Sequence, residues 1–491
     1  MPSTRMFRRS LAAIVGLLIV SPMMGASLRA QFPGMQQMTP EQRAAMQQRM
    51  AEMRAASAAD RQAMMVRLGL HDPDSLPPVA TDPNRPPNLT QHQGSTNWYD
   101  ADGNTYVRSE WGNWSNYDEA HAGNYTLPDP LKLNDGQPVT NAAMWWNQRR
   151  PEILNAYLTE IYGRIPANTP KVTFEVTKVD STTFPGQAIV KTVTGHVDNS
   201  RYPAATPSVD LTVYEPAHAT GKVPVIVTVG GFFARPGQLP SQVSQVLALG
   251  WAAASVNTNS IQADNGAGLT TGIIGLMNEG KPRQPDDWGV LAAWSWGMSR
   301  ALDYLETDPA IDATRAAVQG HSRWGKEALI AAAFDQRWAI AWPSCAGAMG
   351  SSLEKRAWGE TIDNVAGSGE YHWMAGNFLK YGGHWDRMPV DAHELIALVA
   401  PRPVFVTGGT KDQWSDPHGE FLAAVGADPV YRLLGARGLG TTTMPAPDVS
   451  VIDGDLAFRD HDGGHTDVPD WPTFLQFAQK YFGKGAVSAG K

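Results

Sequence analysis

The chain has 491 residues and a net charge of −8, from 40 Lys and Arg against 48 Asp and Glu. It can bury a large core without covalent staples, and its acidic balance, with no Lys/Arg cluster in the body of the chain, excludes a phosphate-tracking nucleic-acid binder. A single cysteine, Cys345, excludes an internal disulfide and a cysteine-based zinc site, and no metal and no cofactor are expected.

Residues 1–30 open with Arg5, Arg8 and Arg9, run through an apolar stretch from Leu11 to Val20 and end among small residues at Gly25 to Ala30. This is the layout of a secretory signal peptide, with an apolar core too short to span a bilayer. A secreted or periplasmic protein is expected, with no membrane partner after cleavage.

Residues 31–95 are expected to form a Met/Gln-rich peripheral helix and a Pro-rich linker. Thr39 offers an N-cap and Pro40 the first helical position, while the prolines between Asp72 and Pro87 remove backbone donors and break regular structure. The main domain is placed at 96–485.

A helix rich in large apolar residues is predicted from Thr140 to Tyr162. β-Branched alternating runs follow at 172–179, 188–197 and 209–214, an antiparallel entry to a sheet. Val223 to Val229 is a continuous apolar run, as in a strand buried on both faces, and Trp251 to Val256 reads as its neighbour. Further buried runs precede Gly320 and occur at 403–407 and 449–452, separated by helical pattern, with a closing helix at 471–482. Strands alternating with helices imply an α/β, three-layer sandwich around a mostly parallel sheet, with functional groups on the loops at the carboxyl ends of the strands.

One stretch has the strand-turn-helix grammar of a nucleophile elbow: Ala316 to Val318, then Gly320-His321-Ser322-Arg323-Trp324-Gly325, then a helix from Lys326 to Phe334. A serine hydroxyl needs a base within reach and a carboxylate to orient that base. Of the 12 histidines, His465 is best placed, in the loop Asp462-Gly463-Gly464-His465-Thr466 after the last strand. His461 is its local competitor, while His384, His393 and His418 read as surface or structural residues. Asp412, a few residues after the 403–407 strand, is the favoured acid. Asp416, followed by Pro417, reads instead as a helix N-cap but stays open as the alternative. The order Ser322, Asp412, His465 is that of the α/β-hydrolase fold. Several of the 17 tryptophans, among them Trp98, Trp111, Trp114 and Trp414, sit in polar, Gly-rich surroundings, where exposed rings can stack on sugars.

The run Gly320 to Lys326, with arginine directly after the serine and the second glycine one place late, resembles the glucuronoyl esterases of the fifteenth carbohydrate esterase family. Tyr125 to Leu131, Pro285 to Gly289, Trp358 to Thr361, Asp412 to Trp414 and Gly464 to Thr466 are similar to bacterial members. The resemblance spans roughly residues 117 to 483.

It implies an α/β-hydrolase that acts without a metal on esters between the (4-O-methyl-)glucuronic acid of glucuronoxylan and lignin alcohols, expected to work as a monomer. By the same resemblance Ser322 is the nucleophile, His465 the general base and then acid, and Arg323 a partner of the oxyanion, with Lys326, Glu360 and Trp414 on the sugar. The chain departs from many members after the strand that follows the elbow helix, where Ser344 to Ser352 holds no carboxylate and Cys345 occupies the acid's place. The acid's role then falls to Asp412, with Glu354 as a remote fallback. The competing readings are an acetyl or feruloyl xylan esterase and a carbohydrate-binding homologue that has lost catalysis.

Overall fold

The structure is a computed structural model that describes residues 39–70, 90–91, 98–99, 105–108, 114–232, 235, 237–382 and 384–483. The expected signal peptide, most of the Pro-rich linker and Trp111 lie outside the described residues.

Helix α1 spans Pro40–Arg67. Thr39 caps it in both directions, accepting from the Gln42 N–H at 3.2 Å while its own N–H donates to the Gln42 side chain at 2.9 Å, the reciprocal arrangement of a capping box. The chain divides into two compact units within this helix, at Met53 and Arg54. In the first unit the described residues are the helical start and its cap. In the second, Met64 and Met65 are buried in the core and the Arg61 Nε donates to the Ala366 carbonyl at 2.7 Å.

Four short strands pair in order as a small antiparallel sheet: β1 (Thr90–Gln91), β2 (Trp98–Tyr99), β3 (Thr105–Arg108) and β4 (Trp114–Asn116). The main sheet has ten strands in the order β13-β14-β12-β11-β10-β8-β9-β7-β6-β5. Its antiparallel entry is β5 (Val172–Asp180), β6 (Ala188–Val197) and β7 (Ser208–Pro216). The parallel centre is β8 (Val223–Val229), β9 (Ala252–Val256), β10 (Ile311–His321), β11 (Ile340–Ser344), β12 (Val404–Gly409) and β14 (Leu456–His461), with β13 (Ser450–Val451) antiparallel at the edge.

Alternation along the central strands sorts side chains into two cores. Ile226, Ala253, Ala317, Trp342, Phe405 and Ala457 pack on one face with α2 (Ser241–Ala248) and α7 (Trp471–Phe482). Val225, Val227, Ala254, Val318, Val406 and Phe458 pack on the other with α3 (Val290–Thr307), α4 (Arg323–Phe334), α5 (Ala392–Val399) and α6 (Pro417–Leu433). Each fully buried Val, Ile or Phe contributes roughly 1.5–3 kcal/mol, so a strand apolar on both faces is stable only between two helical layers. The α/β three-layer sandwich is therefore as expected.

The run at 449–452 is corrected. It forms only the short edge strand β13, with Val449 half exposed, and the buried last strand is β14. Arg459 and Asp460 disguise β14 in the sequence; the arginine is buried because it pairs with Asp448 at 2.7 Å and with Asp470. Two helix starts also differ. α4 begins at Arg323, directly after the turn, and the helix expected from Thr140 is a chain of α- and π-helical pieces from Ala142 to Ile161.

Glu327, on α4, is fully buried and neither of its carboxyl oxygens meets a hydrogen-bond partner among the described residues. Burial raises its pKa well above 4.5. The folded state thus holds the proton more tightly than the unfolded chain, and stability falls as pH rises from about 4.5. Glu327→Met is expected to raise stability at pH 8 by about 1–3 kcal/mol and to flatten that slope, as read from denaturant midpoints at several pH values.

Candidate active site

Strand β10 brings His321 to the carboxyl edge of the sheet, and α4 starts two residues later. Ser322 between them has φ 62° and ψ −130°, a conformation that costs a non-glycine residue on the order of 1–3 kcal/mol. Backbone bonds hold it there. The Ser322 N–H donates to the Ser344 carbonyl at 2.9 Å, and the Ser322 carbonyl accepts from Gly325 and Lys326 at 2.7 and 3.1 Å. The flanking glycines are required by space: a Cβ on Gly320 would lie 1.9 Å from the Trp324 carbonyl oxygen, and one on Gly325 2.7 Å from that of Ser344.

Across the same edge, His465 follows β14 and Asp412 follows β12. The Nδ1 of His465 lies 2.6 Å from Oδ2 of Asp412. Burial alone would raise the Asp412 pKa, but the His465 hydrogen bond and charge outweigh it and hold the carboxyl below 3.8. The ring of His321, adjacent to Ser322, stands 4.4 Å from the His465 ring. Burial, reinforced by His465, pushes the His321 pKa down to about 3, so it is a neutral wall beside that imidazole.

The alternatives are occupied elsewhere. Asp416 caps α6 through the Gly419 N–H at 3.0 Å and pairs with Arg356 at 2.9 Å. Glu354 accepts from the Met349 and Ala392 N–H groups at 3.2 and 2.5 Å. His461 is bonded to Asp470 at 3.0 Å. His393 is buried against the Pro128 carbonyl at 2.8 Å, while His418 lies 3.5 Å from Glu119 on the surface. Cys345 stands where the sequence puts it: its Sγ, the Asp412 carboxylate and a His465 ring nitrogen all lie within 4.8 Å of one another. Burial raises the Cys345 pKa well above 9.0, and the Asp412 charge adds to it. The thiol therefore stays protonated and cannot replace a carboxylate.

The remaining candidates form a polar cluster. The Nη1 of Arg323 bonds Oδ2 of Asp264 at 2.6 Å, and its guanidinium lies 5.3 Å from the Trp373 ring. Asp264 also accepts from Trp373 at 2.7 Å and bonds His372 at 3.0 Å. Lys326 Nζ donates to the Ala346 and Ala348 carbonyls and to Glu360, each at 2.6 Å. An ammonium has three protons, so all of them are committed. The Glu360 N–H donates to the Trp414 carbonyl at 2.8 Å, which joins this cluster to the Asp412 loop. Trp414 is half-buried.

A sheet edge that combines a strained serine, an imidazole bonded to a buried carboxylate, and a cation beside the serine can carry acyl transfer. The model of the family "Glucuronyl esterase, fungi" matches residues 201–435. A carbohydrate esterase from an unknown prokaryotic organism is 34% identical over 411 residues, 76% of this chain and 93% of the relative. The chain belongs to the glucuronoyl esterase family. A solved family-fifteen glucuronoyl esterase from Teredinibacter turnerae T7901 is 36% identical with a TM-score of 0.72, covering 86% of this chain and 99% of that one. A 4-O-methyl-glucuronoyl methylesterase from Schizophyllum commune (strain H4-8 / FGSC 9210) is 30% identical over 64% of this chain and 74% of its own length. The protein is a carboxylic ester hydrolase of this family.

Several residues of this candidate site escape sequence reasoning. Asp264, His372 and Trp373 surround Arg323 from two loops about 100 residues apart. Glu370 has a buried Oε2 without a partner among the described residues; burial first, then the Glu360 charge, push its pKa up to about 8. Glu420 accepts from the Ala346 and Gly347 N–H groups at 2.8 and 3.1 Å and from the Ser351 hydroxyl at 2.9 Å, so it cradles the loop that carries Cys345. Only the neighbourhood of motif residues hinted at any of them.

The elbow's contacts give a direct test. Gly320→Ala drives a methyl into backbone that cannot move aside and is expected to cost at least about 3 kcal/mol. Gly221→Ala, with nothing within 4 Å of its Cβ, is expected to leave the melting temperature unchanged.

Proposed function

We propose that this esterase cleaves the ester between the (4-O-methyl-)glucuronic acid of glucuronoxylan and a lignin alcohol through an acyl-enzyme on Ser322. The observation that carries the reading is the 2.6 Å bond from His465 Nδ1 to Asp412, beside a serine held in a strained turn. With Nδ1 tied to the carboxylate, the imidazole's other nitrogen is the one that acts as the base.

Ser322 Oγ attacks the ester carbonyl carbon and its proton passes to His465. The negative charge that develops on the carbonyl oxygen is stabilised by Arg323 and by N–H groups at the start of α4, which have no intrahelical acceptor. The tetrahedral intermediate collapses, His465 returns the proton to the departing alcohol, and water then hydrolyses the acyl-enzyme by the same route in reverse to release the uronic acid. On the sugar, Glu360 accepts a hydroxyl with the oxygen that Lys326 leaves open, Lys326 holds Glu360 in place and shares its charge with the site, and Trp414 offers a ring face. The methylesterase name of the fungal relative supports the uronate acyl group. We take the protein to be exported, on the strength of residues 1–30, and to act as a monomer.

Ser322→Ala is expected to abolish hydrolysis of a benzyl glucuronate ester with the fold intact; retained turnover sinks the reading. A rate on acetylated or feruloylated xylan above that on the uronate ester would replace it with the other specificity. Xylan binding with no turnover, and no labelling of Ser322 by a fluorophosphonate, would replace it with a binding protein.

Asp412→Asn is expected to lower kcat roughly 10⁴-fold and Arg323→Ala roughly 10²–10³-fold. Asp416→Asn should leave kcat near wild type while lowering stability by about 1 kcal/mol or more, through the weakened cap and the lost ion pair with Arg356. A harmless Asp412→Asn would remove Asp412 from the mechanism.

A further inference from the structure

The loop that carries His465 is closed by another histidine. His461, the last residue of β14, is buried. Its Nδ1 lies 3.0 Å from Oδ2 of Asp470, at the entrance to α7, and its Nε2 lies 3.1 Å from the carbonyl oxygen of Gly464, the residue before His465. Arg459 pairs with the other oxygen of Asp470. A carboxylate and a carbonyl only accept hydrogen bonds, so each ring nitrogen must donate. Only the doubly protonated imidazolium can do both.

We propose that His461 is a positioning residue for the His465–Asp412 pair and that it acts as an imidazolium, one N–H holding Asp470 and the other fixing the Gly464 carbonyl. This rests on the proposed role of His465. Backbone hydrogen bonds hold the start of this loop. The His461 carbonyl accepts from Thr410 and Gly463 at 2.9 and 2.8 Å, and the Gly463 carbonyl accepts from Lys411 at 2.8 Å. The side-chain bond to Gly464 is the last closure before His465.

The charged and titratable groups around His461 are Asp470 and Arg459, Asp460 on β14, Asp412 beyond β12, His321 at the elbow and the Lys411–Asp462 pair of the adjoining loops. Burial alone would lower the His461 pKa. The hydrogen bond and charge of Asp470, then the Gly464 carbonyl and Asp460, outweigh it and raise it above 6.5. Asp460 is itself pushed up to about 7 by burial, so its charge grows as pH rises toward the alkaline side and favours the imidazolium there. A raised folded-state pKa places the clamp's contribution fully below the unfolded value and removes it as pH rises through the folded one. Loss of the His461 proton therefore frees the Gly464 carbonyl on the alkaline side.

The test uses the intact protein with ¹⁵N-labelled histidine. In the wild type, both ring nitrogens of His461 should be protonated at pH 7, and the His465 Nδ1–H resonance of its 2.6 Å bond to Asp412 should shift or broaden when His461 loses its proton. On a benzyl glucuronate ester, His461→Gln is expected to lower kcat by up to roughly 100-fold with KM little changed and to remove the alkaline limb. Asp470→Asn, which keeps the shape and removes the charge, should move that limb down by about one pH unit. A limb that moves in this direction is a readout that mere loosening of the fold would not produce. A singly protonated His461 at pH 7, or an Asp470→Asn profile superimposable on the wild type, overturns the proposal; if neither variant folds, the wild-type resonances decide it. A wild type that turns over no uronate ester would defeat only the proposed function, since the resonances still report whether His461 holds the His465 loop.

Discussion

The serine turn is built on a contact between backbones. β10 and α4 approach so closely that the Trp324 carbonyl occupies the space where a side chain on Gly320 would begin, and Ser322 is left at a positive φ to make the reversal. The strain is held because both flanks are immobile: β10 is buried between two parallel neighbours, and the interior face of α4 lies in the larger core. Ser322 is thus presented, half-buried, at the edge of the sheet by the packing beneath it, and the order of strands decides what it meets. β12 and β14 are adjacent in the sheet, which puts the loops carrying Asp412 and His465 side by side although 53 residues separate them.

Around that edge, most charged groups are engaged with protein partners. Lys326 is buried with three acceptors for three protons, Arg323 is tied to Asp264, and Asp416 serves as cap and ion-pair partner. Saturated polar groups in a low-dielectric site are held rigidly, and a rigid array stabilises charge that appears during a reaction without having to reorganise. With its three protons on the Ala346 and Ala348 carbonyls and Glu360, Lys326 would have to surrender an existing bond to touch a ligand directly.

Cys345 puts an uncharged group beside the Asp412–His465 pair. The position lies against both Asp412 and His465, and the thiol there is neutral and nearly apolar in behaviour. A second carboxylate in the same place would stand beside Asp412 as a like charge. One acid from the β12 loop, met by one imidazole from the β14 loop, leaves a single buried charge that His465 can compensate.

The sequence by itself determined the alternation of buried strands and helices and the elbow, and it singled out Ser322, Asp412 and His465 as candidates, because these rest on local signals: runs of β-branched residues, glycines where no Cβ fits, and a short list of residue types able to do the chemistry. It misjudged β14, whose Arg459 and Asp460 look like surface until Asp448 and Asp470 are brought against the arginine. It could not find Asp264, His372, Glu370 or Glu420, whose partners lie far along the chain, and it left His461 as a rival to His465. Tertiary structure decided those matters, since a side chain's protonation and role depend on which acceptors surround it, and that is set by the packing of strands and loops distant in sequence.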